Sequence, residues 1–387
     1  MLSLPNLKHN VHQALKEPGH AVNVFTHRFK SLVTYVTRDG ASAYPETISL
    51  FLTFRCNLRC HMCAQWGTEG AFYNMSPAEL KNELSLDEMK KLLDELATFK
   101  PSLTFFGGEP FAYRKWPEVL LYAKQKGLRV NCVTNGTLLV GRAKEMVENG
   151  MDQVIFSLEG PREGHDATTR VAGSFDRATQ AMKEITAYKK ESGRKNPRIS
   201  VNSTISETNY RTILEIAQVA KEIGASDITY HHVLFMSKKN YEDHNVYFKE
   251  KFDTASVDFG GFVRKDLPNI DIDFLLSSMR EARRRYPEMS IAFYPNLSED
   301  EIRLWYTQFD YVPKSYWTGC MSPWVQAYIF PDGSVRPCEE LNFEFGNLHQ
   351  HSFKELWNNE RARRYRSVVK NEGTFKVCPR CTEYYRL

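Results

Sequence analysis

Hydrophobic and polar positions follow two different periods along the middle of the chain, from about residue 47 to residue 233. Short apolar runs rich in isoleucine, valine and phenylalanine are separated by longer amphipathic stretches with helical spacing, the pattern of strands that alternate with helices. The predicted strands are 48–54, 103–106, 129–134, 153–157, 198–205 and 227–233. The predicted helices between them are 85–97, 116–126, 142–148, 175–190 and 210–223. This alternation predicts an α/β fold with a parallel sheet of six strand–helix units.

Residues 235–318 give a weaker pattern than the strand–helix region before them. Aromatic residues are dense there, and either core packing or a wall that shapes a substrate pocket explains them. The pattern predicts helices at 274–286, 299–309 and 353–369 and strands at 290–294 and 324–330. We therefore divide the chain into an N-terminal extension (1–44), a strand–helix region (45–235), a variable linking region (236–318) and a C-terminal region (319–387).

The composition is that of an ordinary soluble protein, with 42% hydrophobic and 25% charged residues. A net charge of +4 is too small to indicate nucleic-acid binding. No apolar run is long enough to span a bilayer, and residues 1–10 lack the apolar core of a secretory signal. Eight cysteines without an export signal indicate a reducing, cytoplasmic compartment and metal ligation in preference to disulfides.

Three cysteines stand close together at the end of the first predicted strand. Cys56, Cys60 and Cys63 are separated by three and then two residues. Thiolates are soft ligands that favour iron–sulfur clusters, zinc or Cu(I). A [4Fe–4S] cluster normally takes four cysteines, so three in one loop leave one metal corner open for a substrate or cofactor. Taken alone, the motif also fits a zinc knuckle.

The spacing Cys-x-x-x-Cys-x-x-Cys after a first strand resembles the motif of the radical S-adenosylmethionine (radical SAM) enzymes. The resemblance implies a partial (β/α)6 barrel, similar to a TIM barrel, in which the open iron chelates SAM. One electron from the cluster then cleaves SAM to methionine and a 5′-deoxyadenosyl radical, which abstracts a hydrogen atom from the substrate. Gly107, Gly108 and Glu109 begin a turn that resembles the family's GGEP motif, which binds the SAM amino group. The glycines allow the backbone to approach a ligand closely, and Glu109 supplies an acceptor for an ammonium group.

Three further residues at strand ends are candidate SAM contacts by the same resemblance. Ser157 begins a polar segment that resembles the family's strand-four motif, which holds the SAM ribose or carboxylate. Arg170 resembles an arginine that pairs with the SAM carboxylate, although Val171 stands where the family has glycine. Asn202 matches a polar position near the ribose, and an ordinary strand-end asparagine explains it nearly as well.

A second set of cysteines lies in the C-terminal region. Cys320 and Cys338 flank a predicted hairpin, and Cys378 and Cys381 follow a predicted helix. This order resembles the auxiliary-cluster region of SPASM and twitch radical SAM proteins, and the resemblance implies one auxiliary [4Fe–4S] cluster that the protein ligates fully. A structural zinc ion is the alternative. Cys132, the remaining cysteine, is predicted to be a small buried residue.

The N-terminal extension carries two short apolar faces, at residues 7–15 and 22–36, with more basic than acidic residues around them. A basic amphipathic element of this kind is typical of contact with a membrane surface or an acidic partner. Because the faces are short and interrupted, we favour a helical extension that packs against the outside of the barrel.

The resemblance as a whole implies a radical SAM oxidoreductase with two [4Fe–4S] clusters and SAM, in which the auxiliary cluster takes or relays an electron. The predicted substrate is a small molecule of secondary metabolism, because a single auxiliary site and the lack of a leader-binding module fit that class. The alternatives are a maturase that modifies a peptide or protein, and a non-catalytic metal-binding scaffold. Intact Cys56, Cys60, Cys63 and Glu109 argue against the scaffold.

The expected electron donor is a flavodoxin- or ferredoxin-type protein. No general base is assigned. His231 and His232 end the sixth predicted strand, and a satisfied strand-end histidine is at least as good an explanation for them as a proton acceptor near the substrate.

Overall fold

The computed structural model of the protein describes residues 18–386 except residues 257 and 318. The apolar face predicted at residues 7–15 therefore lies outside the described residues. The second apolar face lies on a single long helix, α1 (Pro18–Thr37).

The described strands form one ten-stranded sheet and one short two-stranded sheet. The strands are β1 (Thr47–Phe51), β2 (Ser102–Phe106), β3 (Arg129–Thr134), β4 (Gln153–Ser157), β5 (Arg198–Ile205), β6 (Asp227–His232), β7 (Met236–Ser237), β8 (Val263–Arg264), β9 (Ser290–Tyr294), β10 (Gln326–Ile329), β11 (Ser334–Arg336) and β12 (Gly346–Asn347). The order in the large sheet is β12-β11-β10-β1-β2-β3-β4-β5-β6-β9. The strands from β10 to β9 pair in parallel, whereas β11 and β12 add an antiparallel edge.

Each of the strands β1 to β6 is followed by a helix, as the crossover between parallel strands requires. The helices after α1 are α2 (Leu86–Leu96), α3 (Trp116–Gln125), α4 (Ala143–Glu148), α5 (Arg162–Thr169), α6 (Ser174–Glu191), α7 (Ile213–Glu222), α8 (Lys238–Phe252), α9 (Ile272–Arg285), α10 (Glu299–Thr307), α11 (Ser322–Val325), α12 (Phe353–Trp357) and α13 (Glu360–Asn371). The predicted start of α2 is confirmed, because Ser85 and Glu88 form a capping box there.

The six predicted strands are confirmed and lie side by side in chain order. Two further parallel strands extend the sheet beyond the predicted (β/α)6 unit. On one side β9 pairs with β6, and on the other β10 pairs with β1. The sheet therefore continues into the regions 236–318 and 319–387. This continuation was not predicted, because periodicity along the chain shows that a strand exists but not which strand it pairs with.

Two local predictions were wrong. The helix predicted at 353–369 is interrupted, because the Asn359 side chain accepts a hydrogen bond from the Ala362 N–H (2.8 Å) and caps a new helix, α13. The strand predicted at 324–330 begins only at Gln326, after the single helical turn α11, in which Pro323 occupies the first turn.

A C-terminal segment bridges from β9, an edge strand of the sheet, to the strands β1 and β10. The Tyr294 hydroxyl on β9 donates a hydrogen bond to the Thr382 carbonyl oxygen (2.7 Å). Four residues later, the Arg386 guanidinium donates to Thr47 Oγ1 on β1 (3.0 Å) and to the side chain of Gln326 on β10. Residues 382–386 thus connect β9 to the β1–β10 side of the barrel.

Helix α1 lies across the end of the barrel at which the parallel strands begin. Ser31 Oγ donates to the Trp324 carbonyl oxygen (3.1 Å) and Asn23 Nδ2 to the Lys100 carbonyl oxygen (3.0 Å). Arg28 forms an ion pair with Glu46 (2.7 Å). These three partners stand one or two residues before β10, β2 and β1, so α1 covers the N-terminal ends of the strands.

Candidate active site

The loop that carries Cys56, Cys60 and Cys63 is fixed by backbone hydrogen bonds on both sides. On one side the N–H groups of Gly108 and Glu109 donate to the carbonyl oxygens of Thr53 (3.0 Å) and Arg55 (2.8 Å). On the other side the N–H groups of Arg59 and His61 donate to the carbonyl oxygens of Thr169 and Thr168 at the end of α5 (both 3.2 Å). The loop lies at the C-terminal ends of the strands, where barrel enzymes bind their substrates.

Gly107 and Gly108 are required by the chain itself. A Cβ atom at Gly107, which has φ of +132°, would stand 2.5 Å from the Thr53 carbonyl oxygen. A Cβ atom at Gly108 would stand 2.3 Å from the Arg55 carbonyl oxygen. The close approach that we expected towards a ligand is thus made to the backbone of the strand that leads into the cysteine loop.

The three thiols and the Gly-Gly-Glu turn line one cavity of about 290 Å³, at the lower end of the range for small-molecule sites. Its polar lining residues beyond the cysteine loop include residues from the ends of β3, β4 and β5, from α5 and from the C-terminal region: Thr134, Asn135, Ser157, Glu159, His165, Thr204 and Glu339. Burial raises the pKa of the Cys56 thiol to about 12 and raises the pKa of the Cys60 thiol as well. These thiols ionise only when a positive charge is supplied beside them, as a bound metal supplies it.

Glu109 is almost fully buried at the wall of this cavity, with 1% of its surface exposed. Its carboxyl oxygens accept hydrogen bonds from Thr134 Oγ1 (2.7 Å), the Asn135 N–H (2.9 Å) and the Phe111 N–H (3.2 Å). Burial outweighs these bonds and raises the pKa of Glu109 to about 7. A cationic ligand in the cavity would therefore strengthen the ionised form of Glu109.

Glu159 and His165 also line the cavity, although sequence reasoning did not select them as site residues. Glu159 accepts a hydrogen bond from the Thr204 N–H (2.9 Å), and burial raises its pKa to about 7. His165 Nδ1 accepts the Glu159 N–H (3.1 Å), which places the ring proton on Nε2. Burial lowers the pKa of His165 to about 4, and Nε2 has no hydrogen-bond partner among the described residues. The ring thus brings a neutral N–H donor to a cavity that it lines.

The second set of cysteines forms a separate, smaller site. Cys320, Cys338, Cys378 and Cys381 line a cavity of about 50 Å³. The Tyr365 hydroxyl lies 3.4 Å from Cys338 Sγ. Burial raises the pKa of the Cys320 thiol to about 12.

Arg380 holds the Cys378–Cys381 turn of this site in place. Its buried guanidinium donates to the carbonyl oxygens of Trp305 (3.3 Å) and Gln308 (2.5 Å) and lies 4.1 Å from the centre of the Trp305 ring.

Within the described part of the chain, no group of three or more Cys, His, Asp or Glu side chains is arranged to hold a single metal ion. Four thiols around a shared cavity are a ligand set that suits a [4Fe–4S] cluster, and a structural zinc ion takes the same four ligands.

Comparison with known proteins matches one family model to each of the two regions that carry the cysteines. Residues 50–196 match the family model of the radical SAM superfamily, and residues 320–382 match the model of the iron–sulfur cluster-binding domain SPASM. The chain is a radical SAM enzyme with a C-terminal SPASM region. Its cofactors are SAM and [4Fe–4S] clusters.

Two curated relatives come from Methanosarcina barkeri. Fe-coproporphyrin III synthase is 34% identical over 189 residues, which are 48% of this chain and 44% of that protein, so the match spans less than half the length of that relative. AdoMet-dependent heme synthase is 26% identical over 341 residues, which are 86% of this chain and 88% of that protein. Among solved structures, Streptococcus suis SuiB bound to S-adenosylmethionine superposes with a TM-score of 0.60 at 14% identity and covers 96% of this chain and 77% of SuiB. This likeness shows the shared fold.

The residues of the larger cavity fit SAM in this radical SAM enzyme. Three thiols can hold a cluster with one open corner, and the buried donor and acceptors of His165, Glu109 and Glu159 suit a ligand with an ammonium group, a carboxylate and hydroxyl groups. Glu159 lies within the polar segment that begins at Ser157, so its proximity to that motif was the available signal.

Two of the predicted SAM contacts lie outside this cavity. Arg170 is exposed and ends α5 in the left-handed conformation, with φ of 59°. Asn202 lines a different cavity of about 290 Å³ nearer the N-terminal ends of the strands. Ser157 does line the thiol cavity, and Ser157 and Asn202 are paired in the sheet, so the two cavities meet at this pair.

The two cysteine sites adjoin through one pair of side chains. Glu339, the residue after Cys338, lines both the larger and the smaller cavity. Gln65, two residues after Cys63, donates a hydrogen bond from Nε2 to Glu339 Oε1 (3.2 Å). The loop of the first site therefore contacts the hairpin of the second directly.

The remaining residues that the sequence singled out have structural partners. His232 Nδ1 lies 2.9 Å from the Tyr306 hydroxyl, and burial lowers the pKa of both His231 and His232, so both rings are neutral at pH 7. Cys132 is fully buried in the core on β3, as predicted.

Proposed function

We propose that this radical SAM enzyme oxidises a small organic molecule, with the larger cavity as its radical site and the smaller site as an electron acceptor or relay. The observation that carries the proposal is the position of Glu339, which lines both cavities and bonds to Gln65 of the first cysteine loop. A substrate that is oxidised by two electrons loses one hydrogen atom, one electron and one proton. Sites that adjoin can take the hydrogen atom and the electron without a large movement of the substrate.

The chain's own residues divide the work in this proposal. Cys56, Cys60 and Cys63 would hold the SAM-binding cluster, and the four cysteines of the smaller site would hold the auxiliary cluster. When bound, these groups supply a hydrogen-abstracting adenosyl radical and a one-electron acceptor. Glu109 would pair with the SAM ammonium group, and the neutral His165 would donate a hydrogen bond to SAM or the substrate.

The walls of the larger cavity also keep water away from the reacting atoms. Met62, Phe106 and Val133 line it beside the polar groups, so the site combines apolar surface with a few placed donors and acceptors. Exclusion of water protects a radical from side reactions. The heme synthase relative, whose match covers most of both chains, is consistent with the small-molecule class. A PqqA peptide cyclase that matches a similar share of this chain is consistent with the peptide class. Peptide modification remains the alternative that the experiment must separate.

The test is an anaerobic assay of the reconstituted, reduced protein with SAM. Iron coproporphyrin, other tetrapyrroles with carboxylate side chains and a panel of short peptides serve as candidate substrates. We expect 5′-deoxyadenosine together with a small-molecule product that is lighter by two hydrogen atoms. Modification of peptides with no change in any small molecule would overturn the assignment of substrate class. The absence of 5′-deoxyadenosine under all conditions would overturn the radical mechanism itself.

The Cys381→Ala variant tests the proposed division between the two sites. It should still form 5′-deoxyadenosine, because the first cysteine loop is intact, but it should lose the oxidised product. Cys132→Ala is the matched control and should behave as the wild type. Full product formation by Cys381→Ala would contradict a role for the smaller site in electron transfer.

A further inference from the structure

Helix α1 carries a row of exposed apolar side chains along one side. Val22, Phe25, Phe29, Val33 and Val36 follow one another at intervals of three or four residues, which places them on one face of a helix. We call these five residues the apolar stripe. Each has between 42% and 67% of its surface exposed. The rings of Phe25 and Phe29 lie side by side with their centres 6.4 Å apart.

The opposite face of α1 is the one that contacts the barrel. Ser31 is fully buried and donates a hydrogen bond to the Trp324 carbonyl oxygen. Tyr35 packs its ring against Trp324 at 4.9 Å between ring centres. Because Ser31 and Tyr35 lie on the side of the helix away from Phe29, the apolar stripe faces away from the barrel. The stripe is therefore a surface feature at the end of the barrel opposite the cysteine loop.

The charge of α1 has one sign. The helix contains Arg28 and Lys30 but no aspartate or glutamate. Arg28 is paired with Glu46, whereas Lys30 is exposed beside the stripe. Arg38 is exposed just after the helix, and Lys370 of α13 reaches its carbonyl oxygen (3.3 Å). Asp39 follows Arg38, but its carboxylate is bonded to Ser367 (2.5 Å). An apolar stripe with cations and no acidic residue on its helix complements an anionic surface.

The area of the stripe helps to decide what covers it. Two phenylalanines and three valines at these exposures present on the order of 500 Å² of apolar surface. Two copies that paired through the stripe would bury about 1,000 Å², which is below the 1,200–2,000 Å² of a stable protein interface. A lipid interface has no such requirement, because an amphipathic helix binds it with one face.

We propose that α1 is an interfacial membrane helix, which docks the N-terminal end of the barrel on an anionic lipid surface through the apolar stripe. Among the described residues no helix has the length and apolar character needed to cross a bilayer, so the contact is peripheral. The cavity with Cys56, Cys60 and Cys63 lies at the other end of the strands and would face away from the lipid. The proposal does not depend on the identity of the substrate.

The test is flotation of the full-length, cluster-loaded protein with two kinds of vesicle, phosphatidylcholine alone and phosphatidylcholine with about one third phosphatidylglycerol. We expect the wild type to bind the anionic vesicles and to release them as salt is raised, since salt screens exposed charges. Phe25→Ser/Phe29→Ser should reduce binding more than tenfold. Lys30→Gln should reduce it about fivefold.

The matched control is Val246→Ser/Phe274→Ser, which removes one valine and one phenylalanine that are exposed on α8 and α9 (72% and 38%). This control should bind as the wild type does. Phe25→Ser/Phe29→Ser should keep its iron content and its 5′-deoxyadenosine formation, which shows that it has folded. Its activity with a water-soluble substrate should also be unchanged, because the stripe lies far from the cysteine loop.

Three results would overturn the proposal. The first is a wild type that binds neither kind of vesicle, or a Phe25→Ser/Phe29→Ser variant that binds as tightly as the wild type. The second is a wild-type dimer in sedimentation that this variant converts to monomers, since a second copy would then cover the stripe. The third is a lower unfolding temperature in this variant than in the control, since residues 1–17 of the same chain would then pack on the stripe.

Discussion

The two cysteine sites differ in how the chain assembles them and in the space that they leave. At the first site, three cysteines lie within one short loop whose backbone is bonded to the Gly107–Glu109 turn and to the end of α5. At the second, four cysteines come from separate segments that Tyr365 and Arg380 fix by side-chain contacts. The first lines a cavity of about 290 Å³ and the second one of about 50 Å³.

Carboxyl groups line both cavities, so the two sites differ chiefly in the space that they leave. Beside the first three thiols lie the buried carboxyls of Glu109 and Glu159 and the unpartnered N–H of His165. A ligand with charged and hydroxyl groups has partners there. The second site already has four thiols and little room, so it suits a cluster that exchanges electrons and binds no organic molecule. The contrast between an open and a closed site therefore supports the different roles that we propose for them.

The largest effect is expected from removal of either set of ligands. The Cys56→Ala/Cys60→Ala/Cys63→Ala variant should fall from about eight to about four iron atoms per chain after reconstitution, and it should lose SAM cleavage completely. A variant with Cys378 and Cys381 changed to alanine should lose a similar amount of iron but keep SAM cleavage. Iron and sulfide analysis with an assay of 5′-deoxyadenosine measures both. Equal loss of SAM cleavage in the two variants would remove the distinction between the sites.

The next effect concerns the anchoring of the first loop. Gly108→Ala places a methyl group against the Arg55 carbonyl oxygen. The Arg55 backbone can move away only by breaking the hydrogen bond that the Glu109 N–H donates to this oxygen. We expect the free energy of unfolding to fall by about 2–4 kcal/mol and iron to be lost from the first site only. Gly19→Ala in α1 is the control, because no atom lies within 4 Å of the added methyl group. An unchanged iron content in Gly108→Ala would show that the turn does not hold the loop.

A smaller effect is expected from the proton on Glu109. Its pKa of about 7 means that the carboxyl is largely protonated at pH 6 and ionised at pH 8. If the ionised form pairs with the SAM ammonium group, apparent SAM affinity should rise about tenfold from pH 6 to pH 8. Calorimetry across this range measures the rise. Glu109→Gln should bind SAM more weakly and without this dependence.

Glu159→Gln is the control for that titration, since burial raises the pKa of Glu159 to about 7 as well. It should keep most of the pH dependence, because the resemblance assigns the ammonium contact to Glu109. If Glu159→Gln abolishes the dependence and Glu109→Gln keeps it, the two carboxyls have been assigned the wrong way round.

The smallest effect concerns the closed site. Tyr365→Phe removes a hydroxyl that lies 3.4 Å from Cys338 Sγ. Hydrogen bonds to cluster sulfurs tune the reduction potential, so the potential of the auxiliary cluster should become more negative by tens of millivolts. A redox titration followed by electron paramagnetic resonance measures it. Tyr113→Phe, whose hydroxyl bonds to the Leu84 carbonyl oxygen and whose side chain lines neither cavity, should leave both potentials unchanged.

Much of the first site could be predicted because its residues are close in sequence. The cysteine spacing and the Gly-Gly-Glu turn after a strand are both visible along the chain. Glu159 and His165 were missed, because the burial of both side chains and the unpartnered Nε2 of His165 arise only on folding. Asn202 was selected and lies in the other cavity, since it is two residues earlier on β5 than Thr204, about 7 Å along the strand.

Prediction of the fold has the same limit, since local features could be predicted from the sequence and contacts between distant segments could not. Strand positions follow from local periodicity, and all six predicted strands are present. The pairing of β9 with β6 and of β10 with β1 joins segments that are distant in sequence, so no local pattern could reveal it. The contact between Gln65 and Glu339 depends on that pairing, and the proposed coupling of the two sites rests on it.

The most direct test of the contrast between the open and the closed site is whether SAM perturbs each cluster. We would record electron paramagnetic resonance spectra of the reduced Cys56→Ala/Cys60→Ala/Cys63→Ala variant and of the Cys378→Ala/Cys381→Ala variant, each with and without SAM. The account predicts that SAM changes the spectrum only where Cys56, Cys60 and Cys63 are intact. A change on addition of SAM in the variant that lacks those three cysteines would contradict it.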